Sequence, residues 1–180
     1  MSRRWPAAAR RSLPDADDDR GVLTRSVDGI TIRPLRNGDT DTVAALFERL
    51  GPESRRARFG AAKPRLSTAE LAELARVDAT HHVLVATVEG DTGPAGIARL
   101  VRDGRAAEVA CAVADACQGR GVGRVLVAEL AALARAAGIA ELRAVVCGDN
   151  PRAVSLATRL ARVRSTRWQD GAREFVLALY

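Results

Sequence analysis

Gln118-Gly119-Arg120-Gly121-Val122-Gly123-Arg124 stands between an alternating run, Ala107 to Val113, and a stripe at helical spacing through Val125, Leu126, Leu130 and Leu133. Three glycines at alternate positions let the backbone approach a ligand without side-chain obstruction. The helix that follows adds unpaired N–H groups and the positive end of its dipole. Strand, turn and helix together make a cradle for a pyrophosphate, which Arg120 and Arg124 can reinforce. Spacing excludes two common phosphate loops. The P-loop ends in Gly-Lys-Ser/Thr, whereas Gly123 is followed by Arg124-Val125. The dinucleotide fingerprint is G-x-G-x-x-G, whereas this is G-x-G-x-G. Glu141, at the offset of its ribose acid, precedes its strand instead of ending it. A glycine turn that merely packs helix tightly on strand stays open.

Outward from the loop, the pattern is regular from Val27 on. Ile30 to Ile32 reads as a strand, and Asp39 caps a helix to about Leu50. Gly51 to Leu66 is a basic loop or short helix, and Ser67 with Glu70 is a capping box opening a helix to about Arg76. His82 to Val88, Gly96 to Val101 and Ala107 to Val113 read as strands, the last two joined by Asp103-Gly104. Gly121 to Ala137 is helical and stopped by Gly138. Leu142 to Cys147 is a strand, and Asn150-Pro151 opens a helix to about Leu160. Val163 to Trp168 and Glu174 to Leu179 are strands around Asp170-Gly171. The order β-α-α-β-β-β-α-β-α-β-β predicts an α/β (α+β) fold. Its mixed, mostly antiparallel sheet has about six to seven strands flanked by about four helices.

The chain has 180 residues, one domain's worth, with 28 basic against 22 acidic residues and a net charge of +6. All the basic residues but Lys63 are arginine. Such a charge permits anionic ligands without choosing among them. Cys111, Cys117 and Cys147 are an odd set without a secretory signal, which reads as reduced cytoplasmic thiols. Cys117 beside Gln118 suggests an acyl-cysteine, but no histidine lies near it in sequence to activate it. His81 and His82 face opposite ways in an extended segment and lack partners at ligand spacing, so no metal is expected. No stretch suits a membrane span, and no nucleic-acid module is recognisable. Residues 1–25, with Pro6, Pro14 and the acidic run Asp15 to Asp19, read as a disordered or weakly ordered tail. A partner-binding arm anchored by Trp5 is the alternative there. Residues 26–180 are the expected domain, and a homodimer stays open.

The spacing Gln-x-x-Gly-x-Gly on Gln118, Gly121 and Gly123 resembles the acyl-CoA motif of the GCN5-related N-acetyltransferases (GNAT). The resemblance runs from Thr31 to about Leu160. It looks most like the catalytic domain of bacterial Pat-type protein lysine acetyltransferases, through Ile32-Arg33-Pro34-Leu35, Pro52-Glu53-Ser54-Arg55-Arg56, Arg58-Phe59, Leu66-Ser67, Val77-Asp78 and Val83-Leu84-Val85-Ala86, with the Ala107-Glu108-Val109-Ala110 setting beside them. Such enzymes often carry a regulatory nucleotide-binding domain, and the N-terminal zone here is too short to be one.

The resemblance implies an acetyl-CoA-dependent N-acetyltransferase acting by direct attack on the thioester, with a protein lysine as acceptor. A small amine or amino acid as acceptor, and a catalytically weak CoA-binding regulatory protein, are the alternatives. It places the pantetheine arm along Cys111, Ala112 and Val113. The pyrophosphate falls on Gly119, Arg120, Gly121, Val122, Gly123 and Arg124, and Asn150 reaches the cofactor arm. Asn150 is also a plain helix cap ahead of Pro151. Glu108 is the expected base, since it shares a strand face with the small Ala110 and Ala112, and partly apolar surroundings favour base work. Pairing with Arg99 or Arg102 is its other reading. Where many members carry a tyrosine that protonates the leaving thiolate, this sequence has Ala157, and the usual Gly-Phe after that helix is Ala161-Arg162. A thiol pKa near ~8.5 makes CoA a fair leaving group without a dedicated acid.

Overall fold

The computed structural model describes residues 24–148 and 150–179. Its strands are β1 (Arg25–Val27), β2 (Ile30–Pro34), β3 (His81–Val88), β4 (Gly96–Asp103), β5 (Ala106–Val113), β6 (Glu141–Cys147), β7 (Arg162–Gln169) and β8 (Ala172–Ala178). Its helices are α1 (Thr40–Glu48), α2 (Pro52–Phe59), α3 (Thr68–Leu74), α4 (Val122–Ala136) and α5 (Pro151–Leu160). One sheet runs β1-β2-β3-β4-β5-β6-β8-β7. Every pairing is antiparallel except β5 with β6, the pair that α4 connects. A parallel pair needs such a crossover.

The two sheet faces bury different sets of side chains. One packs under α4 and α5, with Leu100, Leu126, Leu130, Leu142, Phe175 and Leu177 almost wholly enclosed. Burying each such side chain stabilises by roughly 1.5–3 kcal/mol. The other face carries a smaller core of Leu35, Val43, Ala75, Val83 and Val85 under α1 and α3. Glu108, Ala110 and Ala112 lie on this second face, opposite Val101, Arg99 and Ile97 of β4.

Two elements exceed the expected order. β1 pairs with β2 through Asp28 and Gly29, both in the left-handed region. Strand pairing therefore begins at Arg25, the last residue of the expected tail. The rest of that tail reading, and the arm at Trp5, fall on residues 1–23, outside the described residues. The Gly51 to Leu66 segment folds in part as α2, with Pro52 in its first turn and Gly60 closing it at φ 74°. Both are ordinary helix punctuation. No residue of α2 is buried, so no apolar stripe announced it.

Candidate active site

β5 and β6 separate partway along their length. Their ladder runs from Ala106↔Glu141 to Val109↔Ala144 and stops. Beyond it β5 stays paired only to β4, through Ala110 to Val113, and β6 only to β8, through Val145 to Cys147. The facing edges of two strands thus diverge around a cleft lined by Cys111, Val113, Asn150, Leu156 and Ala157, among others. Strand edges without partners carry unspent N–H and C=O groups. They can take an extended, amide-bearing ligand as if it were another strand.

The glycine turn closes one end of this cleft. Gly119 and Gly121 have φ of 78° and 87°, the left-handed region where a Cβ is strained. Gly121 caps α4, and no side chain bonds the first amides of that helix. Those amides have no intrahelical acceptor either, so they and the positive end of the dipole remain available to an anion. Arg120 and Arg124 are exposed beside them.

Gln118 and Asn150 are held by protein contacts. Gln118 Nε2 donates to Ser54 Oγ at 3.1 Å, Val113 O at 3.3 Å and Asp115 Oδ1 at 3.2 Å. Its Oε1 accepts from Arg152 at 2.6 Å. One amide thereby ties α2, the end of β5 and α5 to the glycine turn. Asp115 completes the knot, accepting from Ser54 and from the Gly51 amide. Asn150 Oδ1 accepts the Ala153 amide at 3.0 Å, the plain cap, while the same residue lines the cleft. Ser54, Asp115 and Arg152 were not among the expected site residues; Asp115 lies three residues before Gln118, but the Ser54 and Arg152 contacts are too distant in sequence to leave a local signal.

A second cleft meets the first at Arg58, Val109 and Ala110. Glu108 lines it with Phe59, Leu66, Leu74 and Arg99. Glu108 is exposed instead of sunk among apolar neighbours, which departs from expectation because the same-face neighbours along its own strand, Ala106 and Ala110, are too small to cover it. Neither expected ion pair forms. Arg99 binds Glu73 at 2.6 Å, and Arg102 donates to the carbonyls of Gly104 and Ala137. Arg143, opposite Glu108 on β6, binds Glu141. The carboxylate is left to face the cleft.

Cys111 and Cys117 are poor nucleophiles. Burial pushes the Cys111 thiol up to about 12. Cys117 is fully enclosed, and burial together with Asp91 at 3.4 Å raises its pKa. Among the described residues no three His, Cys, Asp or Glu side chains gather as a metal site, and no helix is long and apolar enough to cross a membrane.

A parallel pair that splits beside a glycine-capped helix defines the class. The chain belongs to the acetyltransferase (GNAT) family, whose model matches residues 45–161. That family is one of acetyltransferases, and it uses acetyl-CoA. It is similar to the acetyltransferase Pat of Mycolicibacterium smegmatis, with 32% identity over 146 residues. That match covers 79% of this chain but 44% of the relative, so the chain spans less than half of that protein's length. The GNAT domain of S. lividans PAT superposes with a TM-score of 0.74 at 28% identity, over 83% of this chain and 90% of that one. A cAMP-binding acyltransferase from Mycobacterium smegmatis gives 0.57 at 30% identity, over 88% of this chain and 47% of that one.

Proposed function

We propose that this protein transfers an acetyl group from acetyl-CoA to the side-chain amine of a protein lysine. The observation that carries the reading is the divergence of β5 and β6 beyond Val109 and Ala144. Acetyl-CoA supplies an activated thioester, and the residues present fit it. The edge of β5 at Cys111, Ala112 and Val113 would hold the amide-rich arm. The amides from Gly119 to Arg124, with the two arginines, would take the pyrophosphate, and Asn150 would border the arm.

The second cleft suits the acceptor. Phe59, Leu66 and Leu74 give it an apolar wall for a lysine stem, and Glu108 lines it one residue before Val109, where it meets the first. A lysine with its ordinary pKa near ~10.4 is almost wholly ammonium at neutral pH, so a proton must leave before attack. Glu108, without an ion-pair partner among the described residues, is the group to take it. The resemblance to Pat-type protein lysine acetyltransferases around Arg58-Phe59 and Ala107 to Ala110 supports a protein acceptor over a small amine.

Mass spectrometry of an acceptor panel with acetyl-CoA tests this, using lysine peptides, folded proteins, polyamines and free amino acids. Acetylated lysine is expected, and Glu108→Gln should lower kcat by about 10²–10⁴-fold. Because Glu108 is exposed and unpaired, its thermal midpoint should move by less than about 2 °C. Turnover confined to small amines would refute the lysine acceptor. CoA binding without turnover on any acceptor would refute the enzyme reading.

A further inference from the structure

Negative charge must be accommodated where the two clefts meet. In the proposed transfer Glu108 first takes one proton from the ammonium and passes it to solvent. The amine nitrogen then bonds to the carbonyl carbon, and its second proton passes to Glu108. The carbon–sulfur bond then breaks, leaving both electrons on sulfur as a thiolate, which later takes a proton from water. A thiolate forming in a partly dry cleft is costly unless a donor or cation faces it.

Few groups there are available to do so. Ala153, Leu156 and Ala157, the α5 wall, present no polar side-chain atom to the cleft. Gln118 and Ser54 are spent on each other and on Asp115. Asn150 gives its Oδ1 to its cap, which among the described residues leaves its neutral Nδ2 amide as the only other donor on that side. Arg58 differs. It projects from α2 into the junction and lines both clefts. Among the described residues it has no ion-pair partner and no hydrogen bond, and its guanidinium lies 5.2 Å from the Phe59 ring centroid. Cys111, Arg99, Glu108 and Cys147 surround it closely enough to bias its charge. Arg99, the neighbouring cation, is already bound to Glu73. Burial pushes the Arg58 guanidinium below its ordinary value, and a guanidinium still stays protonated in a protein. A half-buried cation without a counter-ion is expensive to maintain, which points to a use.

We propose that Arg58 is a catalytic residue whose guanidinium, at the junction of the two clefts, stabilises the negative charge on the sulfur of the departing CoA. The proposal rests on the acyl-CoA reading of the cleft. It makes α2, a helix with no buried residue, a working part of the site.

The test titrates the thiol of bound CoA in the ultraviolet, where the thiolate absorbs, with desulfo-CoA as the baseline that subtracts the protein's own thiols. In the wild type the bound thiol should titrate about one to two pH units below its usual ~8.5. In Arg58→Gln it should return to the free value, and in Arg58→Lys, which keeps the charge, stay depressed. Steady-state kinetics should show kcat falling about 30- to 100-fold in Arg58→Gln with KM within about threefold, and partial rescue by lysine. Melting curves check that each variant folds. Identical thiol titration in wild type and Arg58→Gln overturns the role of Arg58 alone. Failure of the wild type to bind CoA at all overturns the cleft reading on which it rests.

Discussion

Gly123 separates the two readings of the glycine turn. It is the second residue of α4 and, unlike Gly119 and Gly121, does not sit in the left-handed region. A Cβ there would stand 3.5 Å from Val113 Cγ2 and 3.6 Å from Leu156 Cδ2, ordinary van der Waals distances. The fold should accept Gly123→Ala. Alanine exceeds glycine by about 1 kcal/mol in a helix interior, and about half of that in the first turn should raise the midpoint by roughly 1–2 °C. Val113 and Leu156 both line the cofactor cleft, however, so the new methyl enters its wall beside the amides assigned to the pyrophosphate. Losing one charge-assisted hydrogen bond there costs about 1.5–3 kcal/mol, a weakening of CoA binding by roughly 10- to 100-fold. Titration calorimetry with CoA, beside melting curves, measures both effects. A variant as stable as the wild type or more so, with unchanged CoA affinity, would refute the cradle and leave glycine serving tight packing.

Three further substitutions concern stability. Leu126 is completely buried, and Leu126→Ala should cost about 2–5 kcal/mol and roughly 5–15 °C. Gly96→Ala should cost about 1–3 kcal/mol, because its Cβ meets Leu126 Cδ1, Val122 Cγ1 and the Ala112 carbonyl at 3.0 Å. The double variant should lose less than the sum, and strict additivity in denaturant unfolding would contradict the packing described. Burial alone would raise the Asp78 pKa, but bonds from His81, Thr80 and Arg76 outweigh it and hold the carboxyl well below its usual range. A depressed carboxyl stabilises the fold above its unfolded pKa of ~3.9, and that contribution fades as pH falls through the folded value. Asp78→Asn should therefore be less stable by about 1–2 kcal/mol at pH 6, with the gap narrowing below pH ~4. A gap constant down to pH ~2 would remove the carboxylate from the account.

What could be read in the sequence followed local signals. The capping box at Ser67 and Glu70, the Asn150-Pro151 helix start and the glycines around α4 all depend on neighbours in the chain, and each appears where expected. The split between β5 and β6 is a matter of register between strands joined through a whole helix. The alternation of Ala107 to Val113 says which face a residue takes, not where its partner stops. Asp28-Gly29 was a hairpin signal of the same kind as Asp103-Gly104, but the strand before it is three residues long. Arg58 was hidden differently. In a run with Arg55, Arg56 and Lys63 it looks like surface, and only the packing of α2 across the cleft junction distinguishes it.

The parallel ladder that ends at Val109 and Ala144 also sets what holds the two halves of the sheet together. β6 shares four residue pairs with β5 and seven with β8. Within the sheet the strands β6, β8 and β7 are therefore joined to one another more firmly than to β5. The tie between the halves is the core under α4, where Leu100 of β4 is enclosed with Leu142, Phe175 and Leu177. The cleft is thus an edge opened inside a sheet, and the side chains beneath it keep that edge in place.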